Sequence, residues 1–484
     1  MNSPTSTTTL TLLQLNDVHG YLNLHQEVFP GPEGFTYRPC GGYARLAAVL
    51  HAWRRQHANC LLFDGGDTFH GTRPVVETQG EILLPVLREL GIAGMTAHWD
   101  FAYGPAHLKA LVSQLNYPLL AANVYDKATG EPFFPPYQLY ETGGLRVGVV
   151  GLACPIVEAN MPAHFSEGLH FTDGHQELPR YIAELREQKQ ADVVVLLSHC
   201  GFPQDMALLS RHAGVDVCLS SHTHNRLYEP VQVNGCLLMQ SGAHGSFAGR
   251  LTLQLENGRV VGHEHELREI SADITPDPVV QALVDHALAP FAHLREAVGI
   301  TRGALHRATA VNAPMDDFLL ESLRFRVPGA AVYLANGWRY GAPVPPGPVR
   351  LDDLYDINPM DSEIETVELT GVELWQLLEQ NLEKTYSPDP LCQMGGYVKR
   401  ALGLKVYFKV ENPAGTRVQR VFVGDELLDP ARTYQAVFIT VQAVPEGLGR
   451  NRRGTGHHAV AAMRAYLDRH RPLAVAQPET FVVT

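Results

Sequence analysis

Thr9-Leu-Thr-Leu-Leu-Gln-Leu-Asn-Asp-Val-His-Gly20 is an apolar run that stops abruptly at an acid and an imidazole. Residues 9–15 alternate loosely and are few, so they read as a buried β-strand with functional groups at its carboxyl end. The same arrangement recurs along the chain. Residues 60–63 run into Asp64-Gly-Gly-Asp67, and residues 92–96 deliver His98. Residues 191–197 end at Ser198-His199, and residues 215–219 end at Ser220-Ser-His222-Thr-His224. Residues 236–239 lead into Gln240-Ser-Gly-Ala-His244. Residues 119–124 and 147–152 read as further strands. Residues 43–56, 81–90 and 178–188 carry helical spacing of apolar side chains. Strands that alternate with helices predict an α/β fold, and an open α/β sheet gathers ligands at the carboxyl ends of its strands.

The chain has 484 residues, more than a single domain usually holds, so two domains are expected. Residues 270–278 turn polar and proline-bearing. The helix that follows lines up Val280, Leu283, Val284, Leu288, Phe291 and Leu294, and Pro290 should kink it. The expected division is a dimetal domain over residues 1–270, a connector helix over 271–300, and a substrate-binding domain over 301–484. The last of these has its own strands at 367–369, 404–410 and 434–441, and a helix at 374–382.

A net charge of -13 argues against nucleic-acid polymers and anionic membranes as partners, and favours a small substrate. None of the seven cysteines forms a C-x-x-C pair, so neither a thiolate metal site nor a disulfide framework is expected. The polar N-terminal residues 1–9 show no signal-peptide pattern and no apolar run is long enough to span a bilayer, so the expected location is the cytoplasm.

Asp17-x-His19, Asp67, His98, His199 and His222-x-His224 all fall at predicted strand ends. Residues separated by one position on extended chain point the same way, so both members of such a pair can reach one centre. Carboxylates mixed with imidazoles suit manganese, zinc, iron or cobalt better than calcium. Two divalent transition-metal ions, manganese or zinc, are the expected cofactors, and a lone acid such as Asp67 is the natural bridge.

This order of groups resembles the calcineurin-like metallophosphoesterases, and the full-length layout resembles their 5'-nucleotidase family. The marks are Leu15-Asn-Asp-Val-His-Gly20, Gly66-Asp-Thr-Phe-His-Gly-Thr72, Ala121-Ala-Asn-Val124, Leu197-Ser-His199, Ser221-His-Thr-His224 and Gln240-Ser-Gly242. The resemblance implies a four-layer αββα sandwich followed by a 5'-nucleotidase-type α/β domain. It implies one ion on Asp17, His19 and His224, another on His98, His199 and His222, and Asp67 between them. It also implies hydrolysis of a phosphate ester, a nucleotide or a related phosphomonoester or diester, by a metal-bound hydroxide. Asn123 matches a family asparagine beside the site, and Asn336 and Arg339 match an N-G-G-x-R element that holds the substrate's anionic part.

One stretch departs from the family. Where its fingerprint reads G-N-H-E-F-D-x-G, this chain has Ala97-His98-Trp99-Asp100-Phe101-Ala102-Tyr103-Gly104. The metal-binding asparagine becomes His98, the catalytic histidine becomes Trp99 and its acidic partner becomes Ala102. Indole is a donor only and cannot carry the proton. His244 and His70, on neighbouring site loops, are the candidate replacements. The SoxB-type thiosulfohydrolases of the same family carry H-W-E-F-T there. Gly337-Trp-Arg-Tyr-Gly341 and Gln393-Met-Gly-Gly-Tyr-Val-Lys-Arg400 also lean towards them. The alternatives to a phosphoesterase are therefore a hydrolase of a thiol-bound sulfur anion and a catalytically silent metal-binding sensor. Plain readings stand beside these: Trp99 as core filler, Arg339 as a structural ion pair, Asn123 as a turn residue.

Overall fold

The computed structural model describes residues 7–476 and 478–484, so the first six residues of the N-terminal stretch discussed above lie outside it. The chain divides into two units. The first comprises the chain up to His25 together with Pro39–Ala289, and the second comprises Gln26–Arg38 and Pro290–Thr484.

The first unit holds two sheets. One has the order Arg259–Glu269, Phe247–Glu256, Thr8–Leu15, Cys60–Asp64, Gly94–Met95. The other has the order Val231–Val233, Cys236–Met239, Val217–Leu219, Val193–Ser198, Leu145–Leu152, Tyr137–Thr142. Leu10, Leu12 and Phe63 from the first meet Val147, Val193, Val195 and Leu219 from the second in one buried cluster. Leu13 and Leu15, on the opposite face, pack against Leu46, Leu50 and Trp53 of the helix Tyr43–Gln56. Val194 and Leu196 pack against Leu178 and Leu208 of the helices Glu177–Ala183 and Phe202–Arg211. These contacts give helix, sheet, sheet, helix: four layers. A strand covered on both faces needs apolar side chains at every position, which is why Val193–Ser198 reads as an unbroken run.

Register carries the functional ends to one rim. Leu15 pairs in parallel with Asp64, and Asp64 with Met95. In the second sheet Leu197 lies beside Leu219, and Leu219 beside Met239. The segments that leave these positions carry every candidate ligand.

Residues 119–124 do not form the expected strand. Successive N–H groups of Leu120, Ala121 and Ala122 go to the carbonyls of Met95, Pro135 and Gly151, so no ladder with a single partner develops. Leu119 makes one bridge to Met95, and the strand begins only at Val124–Asp126. A Cβ at Gly151 would stand 2.2 Å from the Leu120 carbonyl oxygen, so only glycine lets this segment pass. Pro290 acts as expected in kind, because the α-helix Pro278–Leu288 gives way to a 3₁₀ turn, Ala289–Arg295. Val280 and Val284 of that helix pack into the first unit's core.

In the second unit a five-stranded sheet has the order Tyr397–Leu402, Val332–Gly337, Thr433–Phe438, Glu363–Thr370, Arg450–His458. Helices Pro314–Arg326 and Ala459–Arg469 cover one face, and Gly371–Tyr386 covers the other. Thr370 and Glu373 close a capping box at the start of the last helix. Residues 26–38 belong to a hairpin absent from the sequence reading, and Phe35 and Tyr37 lie against His306. No helix among the described residues is long and apolar enough to cross a membrane.

Candidate metal centre

Each strand end turns sharply. Asp17, His19, Asp67, His222, His224 and His244 all have positive φ, between 52° and 70°. Left-handed backbone costs a non-glycine residue about 1–3 kcal/mol and persists only where its surroundings hold it. The holding bonds are on the page. The N–H groups of Asp17 and His19 donate to the carbonyls of Gly66 and Asp67, and that of His244 donates to the Asp17 carbonyl.

The turns gather seven side chains into two groups whose ligand atoms lie within 4.8 Å of one another: Asp67, His98, His199 and His222, and Asp17, His19 and His224. His222 falls in the first group and His224 in the second, whereas Asp17 and His19 share one group, although all four have left-handed backbone. Asp67 joins the groups. Its Oδ2 is 3.2 Å from His98 Nδ1, 3.3 Å from His199 Nε2 and 3.5 Å from His19 Nε2. Asp17 Oδ1 lies 3.3 Å from His224 Nε2 and 3.6 Å from His199 Nε2.

The outer atoms of these residues are fixed. His19 Nδ1 is 3.1 Å from the His70 carbonyl oxygen and His199 Nδ1 bonds the Gly65 carbonyl, so each ring donates outwards and turns Nε2 inwards. Asp17 Oδ2 accepts from Asn16 Nδ2 and from the His222 N–H. Trp99 N–H donates to Asp67 Oδ1 at 2.7 Å. Asp100, fully buried, accepts from the N–H groups of Asp67, Thr68, Phe69 and His98 and so ties two ligand loops together.

Burial raises the Asp67 carboxyl, but His98, His199 and His19 outweigh it and hold the group well below its ordinary range. Burial lowers His199, yet Asp67 and Asp17 carry it up to about 10. Burial dominates at His19, which falls to about 3, and at His70, which falls to about 4. Asp17 Oδ1, His98 Nε2 and His199 Nε2 are buried with no hydrogen-bond partner. Orphaned buried polar atoms are costly, and divalent cations would satisfy them. The donor set, imidazole and carboxylate without thiolate, fits transition-metal ions.

The remaining predicted residues divide. Trp99 is half-buried, its ring 4.7 Å from that of His70 and 5.7 Å from that of Phe165. The His244 ring lies 5.7 Å from His224 and 6.1 Å from His19. Asn123 bonds Ala153 through both its N–H and its carbonyl, and also the Thr172 carbonyl, so its amide is occupied by the loop it anchors. In the second unit Asn336 bonds Thr440 and Gln442, and the Arg339 guanidinium lies 5.7 Å from the Tyr397 ring.

Sequence reasoning missed the supporting role of Asp100 and of Gln240. The buried Gln240 amide donates to Ser220 Oγ and to the Ser221 carbonyl, and accepts from Thr223 Oγ1 and the Asn225 N–H. It brackets His222 and His224. Outer partners of this kind typically govern 10–100-fold of metal affinity. Gln240→Ala should therefore lower affinity by about that factor, measured by chelator competition, while circular dichroism stays unchanged.

A family model described as 5'-nucleotidase, C-terminal domain, matches residues 292–443. The chain is 24% identical over 459 residues to a 5'-nucleotidase of Diplobatis ommata, covering 86% of this chain and 77% of that protein. It is 22% identical over 411 residues to the endonuclease YhcR of Bacillus subtilis, of whose length it spans 33%. Among solved structures, the sulfate thiohydrolase SoxB of Thermus thermophilus superposes with a TM-score of 0.91 at 25% identity, covering 98% of this chain and 96% of that one.

Proposed function

We propose, from the match of residues 292–443 to the 5'-nucleotidase C-terminal domain and the likeness to a 5'-nucleotidase and to SoxB, that the chain is a 5'-nucleotidase-family, dimetal-dependent hydrolase of small anionic esters, with phosphate esters first among them. The observation that carries this reading is Asp67 Oδ2, set among three imidazoles where the two ligand groups meet. Asp17, His19 and His224 would hold one ion, and His98, His199 and His222 the other, with Asp67 shared. Such ions supply Lewis acidity, lowering the pKa of water and neutralising the substrate's oxygens. The chain's own groups do the rest. Asp100 and Gln240 keep the ligand loops in place. Trp99 N–H orients Asp67, while its indole walls the site beside His70. His244 is the proposed proton donor to the leaving group. Asn336 and Arg339 are the proposed anion contacts of the second unit. Activity on an aryl phosphate should disappear on chelation and return with manganese or zinc; metal-independent turnover would end this reading.

A second reading, hydrolysis of a thiol-bound sulfur anion, is favoured by one observation: an indole stands where a proton-carrying imidazole is needed. It draws further support from the likeness to SoxB.

Nucleotide preference should be weak. Base stacking between aromatic rings supplies about 1–3 kcal/mol in nucleic-acid binders, and the sequence lacks the paired aromatic elements that sandwich a base. A full base sandwich would be worth up to about a hundredfold or slightly more, so without one the kcat/KM for AMP should fall well short of roughly a hundredfold above that for an aryl phosphate. A larger preference would reveal a base pocket.

A further inference from the structure

The second unit buries an ammonium without a counter-charge. Lys399 sits on the edge strand Tyr397–Leu402 and is 7% exposed. Its Nζ donates to the Gln442 carbonyl oxygen at 2.6 Å, and its backbone N–H donates to Asn381 Oδ1. Among the described residues it forms no ion pair with a carboxylate, and its charged neighbour is another cation, Lys384. The adjacent arginine differs: Arg400 clasps Asp316 at 3.1 Å on the other face of the same strand. Burial, and then Lys384, push the Lys399 amine down to about 7, so near neutral pH it is poised between its neutral and charged forms and a bound anion would hold it charged.

Its surroundings suit an oxyanion. The strand Val332–Gly337 pairs with this one, Gly337 opposite Tyr397, and so sets Asn336 beside it. Asn336 Nδ2 donates to the side chain of the same Gln442 that receives Lys399. Arg339 reaches over Tyr397, two residues from Lys399 on the same face. Asn336, Thr440 and Gln442 all lie at or beyond the carboxyl ends of parallel strands, where α/β sheets bind ligands.

We infer that Lys399 is the cation of an anion-binding subsite at this edge of the C-terminal sheet, which takes a carboxylate, sulfonate or phosphate group.

Thermal melting in sulfate tests the subsite. In full-length Asp67→Ala protein, where the metal centre is disabled, sulfate at tens of millimolar should raise the melting temperature by about 3 °C. Lys399→Met in that background should lose the sulfate response and, without sulfate, melt no lower than its parent, because a buried charge has been removed. Lys399→Arg should restore the response. An unchanged sulfate response in Lys399→Met, or no response in its parent, overturns the subsite.

Discussion

Replacing Asp67 with alanine should strip both ions from the protein. Asp67 Oδ2 approaches three imidazoles drawn from both ligand groups, His98, His199 and His19, whereas Asp17 Oδ1 approaches two, His224 and His199. The other oxygen of Asp67 is committed to the Trp99 N–H, so the side chain cannot swing to serve one group alone. Without it, each ion would retain three ligands, and the two cations would face each other without an intervening negative charge. Metal content by mass spectrometry should fall from two ions per chain to none. Hydrolysis should fall at least about 10³-fold, since metal stabilisation of charge is worth several kcal/mol and each 1.4 is a factor of ten. Retention of one tightly held ion would show that the groups are independent and that Asp67 does not bridge. Asp100 must stay intact in this comparison, because its bonds to the Asp67 and His98 N–H groups hold both loops whichever side chain stands at position 67.

The double change Trp99→His with Ala102→Asp should raise phosphate-ester hydrolysis, by about the 10²–10⁴-fold of a positioned acid wherever His244 does not already supply the leaving group's proton. Trp99–Tyr103 is a 3₁₀ turn, in which residues three apart lie one above the other. An aspartate at 102 would therefore stand over a histidine at 99 and hold its ring, as the family's pair requires. The new imidazole would replace an indole now packed against His70 and Phe165. Metal content must be unchanged, because a histidine beside His98 could capture an ion. A flat phosphatase rate, with loss of the chain's native reaction, would instead favour the sulfur-anion reading, in which Trp99 shapes the pocket. A flat rate beside efficient wild-type phosphatase activity would leave the acid's role with His244 or His70.

The residues of the candidate metal centre were legible in the sequence because strands buried on both faces are nearly free of polar residues, so an acid or imidazole at a strand end stands out. Val193–Ser198 followed by His199, and Val217–Leu219 followed by Ser220-Ser-His222, are the clearest cases. The separation of His222 from His224 followed from family resemblance and not from the residues themselves, because the same one-apart spacing and left-handed backbone put Asp17 and His19 in one group and His222 and His224 in two. Asp100 and Gln240 escaped notice for a related reason. Their hydrogen bonds join positions some 30 and 20 residues away, which only the folded chain brings near. Residues 119–124 misled because their composition matches a strand while their backbone bonds scatter among three partners. Lys399 carries no sequence signal at all: its burial depends on Gln442 and on the helix Gly371–Tyr386 that packs over it.

Titration of the metal-free wild-type chain with manganese, followed by equilibrium dialysis and electron paramagnetic resonance, tests the central claim most directly. Two equivalents per chain with a spin-coupled signal are predicted, because Asp67 links the sites. No bound manganese, or a single uncoupled ion, would contradict a dinuclear centre built on Asp17, His19, Asp67, His98, His199, His222 and His224.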